Sequence, residues 1–339
     1  MELTPSPNPI QPLWYHMGTQ HPFHPEPLTR FFYWMKERHS IYVKREVEKK
    51  PAPWTKDEVL QTQFFTNPYR ENDKTTVWFR ENIRHELRHQ KSVLFATLLF
   101  RWFNSIPTGE FLISDALTGT NKFNPNPLRF FNPNVFKAST KVLKRVLTDR
   151  QDAGNTLFGG AYIIKLANGV KKHHSVIDTL HNLIKDGTIE HLENVLWGCD
   201  TLEYSHRYLQ TNIPFLGPFM AYEIICDLRY TDYLDGSWDT CKWANPGPGA
   251  FRGLRRLLGL PVENRMDKSV PGGRKVAIEL MRTLLLLSHK KVGEKSRGKL
   301  KLKNLEMREI EHSLCEFDKY ERARTGIGGR MKRKFIKGE

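Results

Sequence analysis

The sequence is poor in the features that would make it an exported, membrane-spanning or metal-stapled protein. Its four cysteines, Cys199, Cys226, Cys241 and Cys315, include no C-x-x-C pair and none of the His/Cys spacings that zinc sites use. A reduced setting is therefore expected, without a disulfide framework or a metal site. No apolar run approaches the length needed to cross a bilayer, and the N-terminal MELTPSPNPIQPLW lacks the basic start and apolar centre of a secretory signal. A soluble protein that is not secreted is expected. Strand-like alternation is also scarce, with FGGAYIIKLANG the main stretch that suggests a short hairpin.

What the sequence does have is positive charge. Its 339 residues carry 53 Lys and Arg against 37 Asp and Glu, a formal net charge of +16. Excess Lys and Arg attract polyanions through phosphate contacts and counterion release, so nucleic acid is the first partner to consider. Charge alone fits a basic solvated surface equally well. The length is sufficient for one large core or two packed lobes.

Apolar residues recur at helical spacing through most of the chain. LTRFFYWMKERHSIYVKRE, from Leu28, predicts a helix of about five turns with Phe31, Phe32, Met35 and Tyr42 available to one side. PAPWTKDEVLQ predicts a second helix start, with Thr55 as N-cap and Glu58 completing a capping box. TTVWFRENIRHELRH, KSVLFATLLFRWFNSI, NVFKASTKVLKRVLTDRQ, SVIDTLHNLIKDG, TIEHLENVLWG and RKVAIELMRTLLLLSHK all read as helices. NLEMREIEHSLCEFDKYERAR does too, with Leu305, Ile310, Leu314 and Phe317 on its apolar side, whereas the three prolines of residues 121–133 predict extended or turned chain. The expected architecture is mainly α: a proline-rich arm over residues 1–27, one two-lobed helical domain over 28–325, and a basic tail over 326–339.

Two glycine-proline turns stand out. In NIPFLGPFMAYEIICDLRY, residues 212–230, Leu216 and Gly217 precede Pro218 at an early helical position. A hairpin of this outline can present backbone N–H groups to a DNA phosphate at the positive end of the next helix. Any Gly-Pro helix start would look similar. In WANPGPGAFRGLRRLLGL, Gly247 and Gly249 with Arg252 and Arg255 suggest a second backbone-anion turn, with ordinary turn chemistry equally suitable.

The order of hairpin, aspartate and arginine-bearing helix resembles the helix-hairpin-helix DNA glycosylase superfamily over about Leu192 to Leu260. In that family a lysine just after the last hairpin glycine can attack the sugar. Here Phe219 takes its place, so the resemblance implies no lyase of that kind. The family aspartate would fall near Asp239, with Asp227 an alternative; Asp239 would also suit a helix cap.

A closer resemblance rests on FFYWMKERHSIYVKRE, PWTKDEVLQTQFFTNPYRENDKTTVWF, FGGAYII, LGPFMAYEIICDLRYT, ANPGPGAFRGL and HSLCEFDKY, in that order from about Arg30 to Tyr320. Together they resemble the α-glutamyl/putrescinyl thymine pyrophosphorylase group, whose relatives include the helical domain associated with 5-hydroxymethyluracil DNA kinases. The resemblance implies a glycosylase-like fold and a transferase of thymine hypermodification. Its substrate would be double-stranded DNA in which a linked DNA kinase has pyrophosphorylated 5-hydroxymethyluracil. An amine co-substrate, either putrescine or an amino acid such as glycine or glutamate, would displace pyrophosphate, with no further cofactor. The resemblance also implies a phage protein acting in the host cytoplasm. A base-excision glycosylase without lyase activity and a non-catalytic DNA-binding protein are the competing readings.

That chemistry needs cations for the leaving group, a base for the attacking amine, and a base pulled out of the stack. Arg38, Tyr42 and Arg45 share one helix face at i, i+4 and i+7 next to His39, and suit pyrophosphate or the DNA backbone. Asn67, Arg70 and Asp73 form a polar group at a chain break, although loop capping explains Asn67 and Asp73 nearly as well. Glu316 and Asp318 are candidates for amine binder or base, as are His39 and Asp239. Lys319 and Arg322 are candidate anion contacts, with intrahelical ion pairs as the rival reading. Leu216, Gly217, Phe219, Gly247, Gly249, Arg252 and Arg255 are the candidate DNA contacts.

Overall fold

The structure is a computed structural model that describes residues 21–114, 128–160, 169–262, 270–293, 302 and 304–327. The described chain is mainly helical and contains no β-strand. Most of the FGGAYIIKLANG stretch, the first twenty residues, residues 121–127 and the tail from residue 328 lie outside the described residues. The chain forms two compact units, one from residues 1–70 with 246–339 and the other from residues 71–245.

In chain order, the first unit opens with α1 (Pro25–Tyr42), which continues through a π turn (Val43–Val47), and α2 (Glu58–Thr62). The second unit holds α3 (Lys74–Phe79), α4 (His85–Leu87), α5 (Val93–Phe103), α6 (Ile106–Ile113), α7 (Pro133–Asp152), α8 (Lys172–Lys185), α9 (Thr188–Leu196), α10 (Leu202–Asn212) and α11 (Pro218–Leu228). The chain then returns to the first unit with α12 (Pro248–Leu257), α13 (Gly273–Gly293) and α14 (Met307–Thr325).

In the first unit, α1 begins at Pro25, earlier than predicted, because proline suits the first helical turn, where a backbone N–H has no partner to lose. It buries Phe31, Phe32 and Met35 as expected, together with Leu28, Trp34 and Ile41. The cap of α2 differs from the prediction. Asp57 accepts the Leu60 N–H at 3.0 Å, whereas the Thr55 hydroxyl donates to Glu37 Oε1 at 2.6 Å and accepts the Asp57 N–H at 3.1 Å. Thr55 thus holds the approach to the helix, and Asp57 supplies the anionic cap.

At the other end of the chain, α14 starts with a reciprocal capping box between Glu306 and Glu309 and stops at Gly326, whose φ of 73° is a left-handed conformation that glycine adopts without strain. Leu305, Ile310, Leu314 and Phe317 are all buried. Helix α12 lies close against α14 through two glycines. A Cβ at Gly249 would stand 2.3 Å from Cys315 Sγ, and one at Gly253 would stand 2.3 Å from the Leu314 carbonyl oxygen. Backbone cannot swing aside as a side-chain tip can, so Gly253 sets how near the two helices come.

The second unit is arranged around α5, all eleven residues of which are buried. A helix buried on every side belongs at the centre of a core, and α5 packs against α11. The predicted single helix over TTVWFRENIRHELRH is α3 and α4 separated by a π turn at Arg80–Arg84. Both oxygens of Asp227 on α11 receive Arg101, with Nε to Oδ2 at 2.5 Å and Nη2 to Oδ1 at 2.8 Å, and Arg84 approaches Oδ1 at 3.5 Å.

Candidate active site

The first unit brings segments from opposite ends of the sequence onto one side of α14. Glu316 Oε2 accepts the Thr66 backbone N–H at 2.9 Å, and Thr66 Oγ1 lies 2.7 Å from His312 Nε2. Lys319 Nζ pairs with Glu316 at 2.6 Å and sits 5.0 Å from the centre of the Phe65 ring. One turn earlier on α14, Glu311 Oε1 accepts the Gly247 N–H at 3.1 Å, at the N-terminus of α12. Arg70 and Arg274 are near enough to act electrostatically on Glu311. Cys315 lies between the two glutamates in sequence and touches the Gly249 position. Its side chain reaches solvent, yet a dense surround of protein raises its thiol pKa, with Glu316 and Glu311 adding to the rise.

The surroundings shift the two glutamates in opposite directions. Burial pushes Glu311 up to about 7, against the smaller pull of the Gly247 N–H, Arg70 and Arg274. Burial also acts to raise Glu316, but Lys319, His312 and the Thr66 N–H outweigh it, and the net shift is downward. At neutral pH Glu311 can therefore exchange a proton while Glu316 stays an anion. Separation of two carboxylates in this way is how one site provides both a proton acceptor and a fixed charge. Sequence reasoning singled out Glu316 and missed Glu311, since nothing local in REIEHS marks one glutamate as different.

Asp318 has another surrounding. It is buried and accepts hydrogen bonds from Arg256 Nε at 2.7 Å and Arg252 Nε at 3.2 Å, while Arg322 Nε lies 3.1 Å away as an ion pair. Arg256 was not among the sequence candidates, although its position four residues beyond Arg252 put it on the same helix face. Arg255 points elsewhere, its Nε donating to the Pro261 carbonyl at 2.7 Å. The three guanidiniums thus gather on one carboxylate of α14.

The predicted Arg38, Tyr42 and Arg45 stripe does not converge on a point. Arg38 Nε donates to the Phe65 carbonyl at 2.8 Å, while Arg45 pairs with Glu46 at 2.6 Å and lies 5.8 Å from the centre of the Trp54 ring. His39 lies between Tyr42 and Tyr69, with ring centres 6.0 and 4.9 Å away. Burial lowers its pKa to about 4, with Asn67 opposing through a hydrogen bond and Arg38 adding to the fall. The imidazole is neutral at pH 7 and a weak proton acceptor there. Asn67 is buried and accepts the Tyr69 N–H at 2.9 Å, and Arg70 is buried as well. Asp73 stands at the N-cap position of α3 in the second unit.

In the second unit, the 212–230 stretch forms the end of α10, a tight turn and α11. Gly217 is the N-cap, with an ordinary φ of −70°. A Cβ on Gly217 would meet no protein atom within 4 Å, so the fold itself does not call for glycine there. Leu216 is buried, while Phe215 and Phe219 are about half exposed at 53% and 51%. Replacing Gly217 with alanine is expected to change stability by no more than about 0.5 kcal/mol. If the turn meets a DNA phosphate, the same variant will bind duplex DNA more weakly in a fluorescence-anisotropy titration.

Asp239, the other sequence candidate for catalysis, caps α10 from a distance. Its Oδ1 accepts the Leu202 N–H at 2.8 Å and its Oδ2 accepts the Glu203 N–H at 3.0 Å. Both oxygens are occupied and the residue is buried. Asp239→Ala is expected to cost about 0.5–2 kcal/mol in urea unfolding, the usual loss for a helix cap.

Residues 26–328 match the family described as "5-hmdU DNA kinase, helical domain". A 5-hmdU DNA kinase of Bacillus phage SP10 is 26% identical over 244 residues, which cover 67% of this chain and 36% of that protein. The chain thus spans roughly a third of that relative's length. No solved structure matches. Among the described residues, no helix is long and apolar enough to cross a membrane, and no group of three or more His, Cys, Asp or Glu could hold a metal ion.

Proposed function

The chain belongs to the 5-hmdU DNA kinase helical-domain family, and from that membership we propose that it acts in the hypermodification of thymine in phage DNA. Its reaction is amine transfer: an amine replaces the pyrophosphate of 5-pyrophosphoryloxymethyluracil in double-stranded DNA. The helix-hairpin-helix glycosylase-like fold belongs to the same proposal, as do a partner kinase that prepares the substrate and action in the host cytoplasm.

The observation that carries this reading is the cluster of Arg252, Arg256 and Arg322 around the buried Asp318 carboxylate of α14, in the first unit. In the reaction the bond between the C5 methylene and oxygen breaks, and its electron pair leaves with pyrophosphate. The pyrimidine ring can feed electrons toward the methylene, which makes it electrophilic. The amine nitrogen then bonds to that carbon and gives up a proton. Positioned cations stabilise the departing charge, and a carboxylate near neutrality accepts the proton. Arg252, Arg256 and Arg322 are the assigned pyrophosphate contacts, with Lys319 at the next position of α14. Leu216, Gly217 and Phe219 are assigned to the DNA backbone.

The test is incubation of the protein with DNA containing pyrophosphorylated hydroxymethyluracil and a mixture of amines, followed by mass spectrometry of the nucleosides. Aminated thymidine with released pyrophosphate is the expected result. Abasic sites would instead identify a glycosylase. A gel shift with unchanged nucleosides would leave DNA binding alone.

A further inference from the structure

We propose that the exposed face of α7, in the second unit, is a separate DNA-contact surface on which Lys137, Lys141 and Arg145 bind successive phosphates of a duplex strand. That surface is independent of whether amine transfer is the reaction.

The three residues lie at i, i+4 and i+8, so they form a row along one side of the helix. All three are exposed, and each step along the row is about 6 Å. Among the described residues, none of the three has an ion-pair or hydrogen-bond partner. The neighbouring charges are already engaged. Lys144 pairs with Asp178, Lys171 pairs with Asp152 at 3.4 Å, and the Arg150 guanidinium lies 4.3 Å from the centre of the Phe111 ring. Asp149 stands one turn beyond Arg145, at the far end of the row.

Like charges four residues apart on a helix repel each other and weaken it. Helix α7 has two such pairs in succession, Lys137 with Lys141 and Lys141 with Arg145. A face that served only for solubility would be more stable with alternating signs. A polyanion laid along the row removes the repulsion and releases its own counterions in doing so. Beside the cations the face carries Ala138 and Val142, small side chains that do not hold a strand away. Val135 and Val142 are its exposed apolar residues, at 37% and 39%, and they lack the bulk of the Trp, Phe and Leu that seat a helix in a lipid surface.

The row is presented on a firm support. On its other side α7 buries Phe136, Leu143 and Leu147, and the Phe136 ring lies 5.1 Å from that of Phe95 on α5. Asn132 Oδ1 accepts the Asn134 and Val135 N–H groups at 3.0 and 3.4 Å, so the helix start is capped and the side chains supply the charge. Within the second unit α7 packs on α8, α8 on α9 and α9 on α10, which sets the row apart from the turn at Gly217. Contacts to phosphates alone fix the position of a duplex without reading its bases.

Fluorescence-anisotropy titration of the full chain with a labelled duplex, repeated from low to high salt, tests the surface. The triple variant Lys137→Gln/Lys141→Gln/Arg145→Gln should bind about tenfold more weakly or worse at low salt, and the slope of log K against log salt should fall by about 2–3. A second triple variant, Lys56→Gln/Lys185→Gln/Lys275→Gln, removes the same charge from exposed positions elsewhere and should leave the slope nearly unchanged. Lys137→Arg/Lys141→Arg should bind as the wild type does. Melting temperatures should stay the same throughout. The loss should be equal for plain and hydroxymethyluracil duplexes, because the phosphates are the same in both.

Equal slopes for the two triple variants would overturn the proposal, since net charge alone would then explain the binding. A loss confined to the hydroxymethyluracil duplex would also overturn it, by making the row part of a base-reading site. Unchanged duplex binding with lost binding to phosphatidylserine vesicles would overturn it too and assign the face to a lipid surface. If the slope falls as expected while no amine reaches the DNA, the surface stands and the amine-transfer reading falls.

Discussion

Replacing Asp227 with alanine is expected to destabilise the protein by about 3–5 kcal/mol, the usual result of deleting one partner of a fully buried ion pair. Arg101 is 1% exposed and Arg84 2%, and the Asp227 carboxylate is their meeting point. The other partners of Arg101 include the neutral acceptors Asn104 Oδ1 at 3.0 Å and Thr76 Oγ1 at 3.1 Å. Arg84 keeps Glu71, its other carboxylate partner. The larger loss falls on Arg101, in the last turn of α5, because it engages both Asp227 oxygens while Arg84 reaches one at 3.5 Å. Asp227→Asn should cost less, because it keeps the shape and one acceptor oxygen. Urea unfolding of the two variants measures the difference. A loss below about 1 kcal/mol for Asp227→Ala would mean that the pair contributes little beyond its own desolvation cost.

Removing the Asp318 carboxylate is the second large effect expected, and it should differ from the first in one respect. Asp318→Ala leaves Arg252, Arg256 and Arg322 facing each other, with side-chain exposures of 15%, 9% and 25%. The cost should be about 2–4 kcal/mol, below that of a sealed pair because the outer guanidiniums can draw on water. An anion that fills the vacated position should restore stability. Pyrophosphate at a hundred times its dissociation constant would return about 2.7 kcal/mol. The Asp227 variant, whose arginines are sealed in the second unit, should gain nothing from pyrophosphate. Thermal unfolding of both variants across a pyrophosphate titration makes the comparison. Equal responses would show that the three-arginine cluster has no special affinity for anions.

The two aspartates illustrate how much of the site could be read in advance. Helices α1, α12 and α14 were visible because apolar spacing is local: Phe31, Phe32 and Met35, or Ile310, Leu314 and Phe317, define a buried face from a few neighbouring residues. Asp318 and Arg322 were recognisable as charged residues one helical turn apart. Their gathering with Arg252 and Arg256 was not, because it depends on α12 approaching α14, and that approach depends on Gly249 and Gly253. The sequence suggests an anion turn at Gly249, and in the fold the same glycine also admits Cys315. Thr55 and Asp57 show the same limit at short range. Both can cap a helix, and Glu37, far away in sequence, engages Thr55.

The sequence alone determined a basic, mainly helical chain with a glycine-proline turn before α11 and charged residues concentrated on α14. These are properties of composition and of 3.6-residue periodicity, which act over a few residues. Only the tertiary structure decided which carboxylate is which. Glu316 is bound by Thr66 across 250 residues, and Glu311 by Gly247 across 64. A carboxylate's pKa is set by what surrounds it, and here the surroundings come from opposite ends of the chain. For that reason Glu311, unremarkable in the sequence, is the residue that the fold holds near neutrality.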